Sequence, residues 1–332
     1  MKKSDETLPK ISIIIATLNN ERTIGECLRS LFEQDYPTDK MEIIIVDGGS
    51  EDDTLKIAKK YPAKIMIKPF NVPEAYNHII KSLDSEVIGL VDADAKVEKS
   101  WLRKLLQHLE NPNVAGASGT IETWNDESIL PRCIGYDLKY RYSRIKRYAN
   151  RIATMNLLLK RRIIEEVGGF NEKLPTQYDT EFGVRVTSRG YTFVLDSEVK
   201  CYHFNRPTWK EYFKQQLRYG KNTLRLYIER PELIRGDAIT DFWMNMQPVL
   251  ILLTVLLTVL GFIYSIMWYV SASILFILII LYITTAAKLA WLYKDKSALF
   301  LVAVYLVRAV AWTSGAFIAV LDMLKFRRKK VN

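Results

Sequence analysis

The chain has 332 residues, enough for one large domain and an appendage. Hydrophobic residues make up 49% while mean hydropathy is only -0.02, so the apolar residues are concentrated rather than spread. Three cysteines, Cys27, Cys133 and Cys201, stand apart without metal-ligand spacing, which excludes a disulfide framework and suits a reducing compartment.

The elements follow in chain order. Ile11 to Ala16 reads as an apolar strand, and Thr23 to Gln34 as a helix with Ile24, Cys27, Leu28, Leu31 and Phe32 on one side. Glu42 to Val46 is a second buried strand, Asp52 to Lys60 a helix and Lys64 to Lys68 a short strand. Pro73 opens another helix, Val87 to Val91 is a strand, Ser100 can cap the next helix, and Val114 to Ile121 is again a strand. This βαβ rhythm predicts a Rossmann-like, mostly parallel α/β sheet with helices on both faces. Residues 131 to 150 are basic and tyrosine-rich; Ala153 to Leu159 reads as a strand, Gly168-Gly169-Phe170 as a turn and Asp179 to Arg189 as a helix. Tyr191 to Leu195 and Val199 to His203 read as two short strands, and Thr208 to Tyr227 as an amphipathic helix.

Phe242 to Ala287 then runs for 46 residues without a formal charge. A spanning helix needs about 20 apolar residues, so this length fits two helices and a turn. Ser297 to Leu321, interrupted only by Arg308, is a third span, giving an all-α transmembrane domain of about three helices. A central arginine is costly in lipid, so Arg308 is expected to turn toward a groove or partner helices. Three spans also place the tail from Lys325 across the membrane from the α/β part, against the positive-inside rule; a third segment that does not cross is the alternative. No signal peptide is read in the first ten residues, so the α/β part is expected to face the cytosol.

The net charge of +10 is uneven: Pro131 to Arg162 carries ten Lys or Arg and one acid, Asn205 to Gly236 eight against three. Both runs lead toward the membrane segments, so anionic headgroups and a phosphate-bearing lipid are nearer partners than nucleic acid.

In an open α/β sheet ligands bind at the carboxyl ends of the strands. There the first strand empties into Thr17-Leu18-Asn19-Asn20-Glu21, the second into Asp47-Gly48-Gly49-Ser50 and the fourth into Asp92-Ala93-Asp94. A nucleotide diphosphate is repelled by such acids unless a divalent cation intervenes, and Asp92 and Asp94 offer hard oxygens to manganese or magnesium. Asp47 can accept hydrogen bonds from a base or ribose, and the glycines allow close backbone approach.

On these residues, with Gly168-Gly169-Phe170-Asn171-Glu172 and Asp179-Thr180-Glu181-Phe182, the chain resembles a family 2 glycosyltransferase of the GT-A fold from about Ile11 to Tyr219. The resemblance implies that Thr17, Asn19, Glu21, Asp47 and Gly48 hold the nucleoside, that Asp92 faces the nucleotide and that Asp94, with Asp92, binds the metal. It makes Asp179 the base of an inverting transfer, with Tyr178 standing where the family has an acid. Gln215-Gln216-Leu217-Arg218-Tyr219 resembles the Gln-x-x-Arg-Trp motif of cellulose-synthase-like enzymes. Gln215, Arg218 and Tyr219 are thereby implied at the acceptor end or the diphosphate. His203 joins them as a candidate, with a structural histidine as the alternative.

The expected organisation is a GT-A domain at 1–204, interface helices at 205–241, a transmembrane domain at 242–324 and a basic tail at 325–332. The expected activity is that of a multi-pass cell-membrane hexosyltransferase acting on a polyprenyl- or dolichyl-linked acceptor. GDP-mannose is the first choice of donor and a UDP-sugar the alternative. A nucleotidyltransferase and an inactive scaffold are the rivals from other classes; Thr17 to Glu21 is not a nucleotidyltransferase glycine-rich loop, and retention of Asp47, Asp92, Asp94 and Asp179 speaks against a scaffold.

Overall fold

The structure is a computed structural model that describes residues 7–331, with side chains up to Lys325; the basic tail beyond Lys325 therefore lies outside the described side chains. Two compact units emerge. One comprises the chain up to Trp124 together with Tyr142–Phe204, the other Asn125–Arg141 and the chain from Asn205 onward.

Among the described residues the first unit is built on nine strands: β1 (Ile11–Thr17), β2 (Met41–Asp47), β3 (Lys64–Ile67), β4 (Val87–Val91), β5 (Ala95–Val97), β6 (Val114–Thr123), β7 (Tyr148–Ala149), β8 (Asn156–Lys160) and β9 (Thr192–His203). They form one sheet in the order β3-β2-β1-β4-β8-β6-β9-β5, with β7 on β9. The pairings make β1, β2, β3, β4, β6 and β9 run one way and β5, β7 and β8 the other, a mixed, mostly parallel GT-A-like sheet. Central strands of a doubly covered sheet read as continuous apolar runs; accordingly Ile11, Ile13, Ile14 and Ile15 are all buried. Helix α1 (Ile24–Phe32) buries Ile24, Cys27, Leu28 and Leu31, the helical spacing read in the sequence. Its core continues through Trp101, Leu102 and Leu105. Those three lie on α4 (Trp101–His108), the fourth helix after α2 (Thr54–Ala58) and α3 (Val72–Ile80).

Two local expectations are corrected, and two elements are new. The two short strands expected between 191 and 203 are one strand, β9, which follows β6 through an irregularity at Gly119/Thr120. Ser100 precedes α4 but its hydroxyl donates to Glu98 instead of capping the helix. The three-residue strand β5 was not foreseen, and the basic segment after 128 folds as helix α5 (Ile129–Ser143).

After α6 (Arg161–Val167) and α7 (Tyr178–Ser188) in the first unit, the second unit continues with α8 (Trp209–Glu229), α9 (Phe242–Leu260), α10 (Ile266–Tyr293) and α11 (Leu301–Val331). Three stretches, Phe242–Leu260, Ile266–Tyr293 and Lys296–Lys325, are helices long and apolar enough to cross a membrane. Helix α8 starts on Thr208, whose hydroxyl accepts from Glu211 N. It packs against α11 backbone to backbone: a Cβ on Gly220 would collide with the Trp312 main chain, and one on Gly315 with the Leu217 carbonyl. Gln216 accepts from Trp312 Nε1 at 2.9 Å. Arg308 is buried, its Nη1 3.0 Å from Asp137 on α5, while the Tyr305 hydroxyl donates to the other carboxylate oxygen at 3.0 Å. Arg141 approaches Asp137 to 3.1 Å. The arginine thus meets a partner helix, as its cost in lipid requires.

Candidate active site

Parallel register places Thr17 beside Asp47 at the ends of β1 and β2. The Asp47 carboxylate is fully buried and accepts from Gly49 N at 2.9 Å, Ser50 N at 2.8 Å and the Ser50 hydroxyl at 2.5 Å. Gly49 takes φ +95°, which favours glycine, so this turn needs that residue type. The two neighbouring loops are laced together. Asn19 N donates to the Ser50 hydroxyl at 2.8 Å and Asn19 Oδ1 accepts from Glu51 N at 2.9 Å. Glu21 Oε2 accepts from Asp53 N, and Asp52 Oδ2 from Glu21 N, both at 3.1 Å. Gly48 N reaches the Thr17 carbonyl at 2.8 Å, and the Thr17 hydroxyl accepts from Asn20 Nδ2 at 3.1 Å. Thr17, Asn19, Glu21, Asp47 and Gly48 therefore form one preshaped edge.

Asp92 and Asp94 occupy the short link from β4 to β5, with Ala95 N bonded to the Asp92 carbonyl at 3.0 Å. Antiparallel pairing of β5 with β9 sets His203 opposite Ala95, and its Nε2 lies 3.3 Å from Asp94 Oδ1. One ligand atom from each of Asp92, Asp94 and His203 lies within 4.8 Å of the others. The sequence reading offers His203 for the acceptor or diphosphate, or as a structural histidine; the structure sets it beside the two acids. Two carboxylates and an imidazole at this separation fit a divalent cation, and the nitrogen ligand suits manganese better than magnesium. The surroundings carry the field of these acids. Burial raises the thiols of Cys27 and Cys201 and the phenols of Tyr76 and Tyr178, and the Asp92 charge adds to the rise in all four.

Asp179 lies in the first turn of α7, behind Gln177 in the left-handed conformation, φ 68°. Its Oδ1 accepts from Thr180 N at 2.9 Å and its Oδ2 from Arg151 Nη2 at 3.3 Å, and both side chains are nearly buried. Tyr178, in place of the family's acid, shares a hydrogen bond with the Thr154 hydroxyl at 2.9 Å and meets Tyr76 edge to face. The Gly168-to-Glu172 segment anchors this floor. Asn77 of α3 bonds Phe170 N and O, a Cβ on Gly169 would strike Asn77, and Arg185 of α7 reaches the Val167 and Gly169 carbonyls. Sequence reasoning missed Arg151, Tyr76 and Thr154; only the basic run around 131–162 hinted at the first. Gln215, Arg218 and Tyr219 are on α8 in the second unit, partly or fully exposed.

Residues 12–166 match the family model described as Glycosyl transferase family 2. The chain is similar to glycosyltransferase AglE of Haloferax volcanii, 28% identical over 244 residues, covering 70% of this chain and 79% of that one. It is also similar to the dolichyl N-acetyl-alpha-D-glucosaminyl phosphate 3-beta-D-2,3-diacetamido-2,3-dideoxy-beta-D-glucuronosyltransferase of Methanococcus voltae, 25% identical over 230 residues, covering 63% and 71%. Among solved structures, the mannosyltransferase PcManGT of Pyrobaculum calidifontis, in complex with GDP-Man and Mn2+, superposes with a TM-score of 0.58. It is 18% identical, with 96% of this chain and 89% of that chain covered, a likeness of fold. The sheet order, the acidic strand ends and these matches together make residues 12–166 a family 2 glycosyltransferase domain of the GT-A fold.

Proposed function

We propose that the chain is a membrane-bound, inverting, metal-dependent hexosyltransferase that moves a sugar from a nucleotide donor to a polyprenyl- or dolichyl-linked acceptor. The observation that carries this is the Asp92–Asp94–His203 trio, on the same sheet as the laced Thr17–Glu21 and Asp47–Ser50 loops. In this reading Thr17, Asn19, Glu21, Asp47 and Gly48 hold the nucleoside, and Asp92, Asp94 and His203 would hold the cation. Bound there, a divalent cation would supply Lewis-acid stabilisation to the departing diphosphate. Asp179 accepts the proton of the attacking hydroxyl as the new glycosidic bond forms and the bond from the anomeric carbon to the diphosphate breaks. Arg151 orients that carboxylate. A base is needed for a hydroxyl and not for a lipid phosphate, which is already ionised at neutral pH, so the acceptor is a lipid-linked saccharide. The dolichyl-linked acceptor in the name of the Methanococcus voltae relative supports this. Gln215, Arg218 and Tyr219 are proposed for the acceptor or diphosphate, GDP-mannose for the donor, and a multi-pass topology with the first unit in the cytosol. A panel of GDP- and UDP-sugars, assayed with and without chelator, tests the reading; turnover undiminished in excess chelator, or no donor consumed, would overturn it.

A further inference from the structure

Helix α7 carries Asp179 in its first turn, yet Gln177, just before the helix, caps no backbone N–H with its side chain. Helix ends left without caps are the parts that open most readily. What holds this end is Tyr178. Its ring is met edge to face by Tyr76 at 6.1 Å and by Phe170 at 5.9 Å. Its hydroxyl shares a hydrogen bond of 2.9 Å with the hydroxyl of Thr154, which is 5% exposed. Thr154 adjoins Met155, whose carbonyl accepts from Asp92 N at 3.2 Å just ahead of the pairing of β8 with β4. One short path thus joins the two acids. A hydrogen bond links Asp92 to Met155 and a peptide bond links Met155 to Thr154; a hydrogen bond then reaches Tyr178 and a peptide bond Asp179. Burial raises the Tyr178 phenol most, and the charges of Asp92 and Asp179 both add to the rise, so the ring stands near the two of them.

We infer that the Tyr178 and Thr154 hydroxyls are a positioning pair that fixes Asp179 relative to the Asp92 end of the cation site. The need is geometric. In the proposed transfer the base serves the attacking oxygen and the cation the departing diphosphate, so the spacing of Asp179 from Asp92 sets how well the reacting atoms align. Arg151 turns the Asp179 carboxylate, while the pair sets where its main chain stands. A phenol suits this place. A carboxylate at position 178 would add a third negative charge beside Asp92 and Asp179, whereas the phenol reaches Thr154 without one. The inference rests on the reading of Asp179 as the base and deepens it.

The test uses the full chain in detergent with manganese and the donor chosen by the panel of GDP- and UDP-sugars, and follows release of the nucleoside diphosphate to water. Water stands in for the acceptor hydroxyl and gives its proton to the same carboxylate. Tyr178→Phe keeps the ring and removes the tie. It should lower kcat about 10-fold, part of the roughly 100-fold that a misplacement of about 1 Å costs, with donor KM and the thermal melt unchanged. Thr154→Val should do the same, the double variant should be no slower than either single one, and Thr154→Ser should keep the parent rate. In an Asp179→Asn background Tyr178→Phe should change nothing further, because the pair acts through that carboxylate. Parent-rate turnover by Tyr178→Phe, losses that multiply in the double variant, or a further loss on top of Asp179→Asn would overturn the positioning role and leave Asp179 as the base. Losses that track a fallen melt would make the pair structural and overturn it as well. Asp179→Asn turning over at the parent rate would instead remove the base, and the role of the pair with it.

Discussion

Two charge clusters in this chain are built in opposite senses. In the first unit, Asp92 and Asp94 come together around His203, so like charges share one strand end. In the second, Arg141 and Arg308 come together around Asp137, and the Tyr305 hydroxyl takes the remaining oxygen. Burial alone would push the Asp137 carboxyl up; the two guanidiniums outweigh it and hold it below the usual carboxylate range. The second cluster is a brace in which the chain supplies both signs of charge. The first gathers carboxylates at a cost to folding that a cation would offset, which is the arrangement expected of a functional site rather than a structural one.

The comparison can be broken at either cluster, and the largest effect belongs to the first. Asp94→Ala should lower transfer on the order of 1,000-fold, the scale for removing a main electrostatic stabiliser, while the thermal melt moves little; a melt that collapses with activity would make Asp94 structural. In the second cluster, Asp137→Ala strands Arg308 and should destabilise by about 3–5 kcal/mol, whereas the paired change Asp137→Leu with Arg308→Met should be close to neutral. Denaturation in detergent compares the two. Asp179→Asn should keep donor affinity and lower kcat roughly 100-fold, and a variant turning over at the parent rate would remove Asp179 as the base. Acid gives a subtler contrast. Because Asp137 is held low in the fold, its contribution to stability is complete above about pH 4 and is lost as pH falls through its lower folded value. Between those limits the parent should lose stability that Asp137→Asn has already forfeited. Smallest is His203→Asn, expected to weaken manganese binding by about 10-fold and narrow its advantage over magnesium, measured by calorimetry on the full chain.

The strand ends were readable because a parallel sheet places consecutive carboxyl ends on one edge, so Thr17, Asp47 and Asp92 could be brought together from βαβ rhythm alone. His203 could not be placed beside Asp94 from the sequence, because its position depends on β5, three residues long and too short to show a pattern. Arg151 was equally hidden: nothing in a run of ten basic residues distinguishes the one that meets Asp179. Arg308 carried a sign of its need for a partner, since a charge in an apolar helix must find one, but Asp137 lies 171 residues away in sequence. The apolar helices themselves differ in a way composition did not reveal. In the most apolar window of α9 and α10 17% is buried within the protein, against 44% for the stretch Lys296–Lys325.

The lacing between the Thr17–Glu21 and Asp47–Asp53 loops has a consequence for how a donor is recognised. Backbone amides at positions 19, 21, 49, 50, 51 and 53 are already engaged by side chains of the same two loops. A nucleoside arriving there would meet a surface whose conformational entropy was surrendered during folding, so little of its binding energy would be spent on ordering. Discrimination between bases would then rest on fixed shape, and a change of nucleotide preference would require rebuilding the lacing rather than exchanging one contact residue.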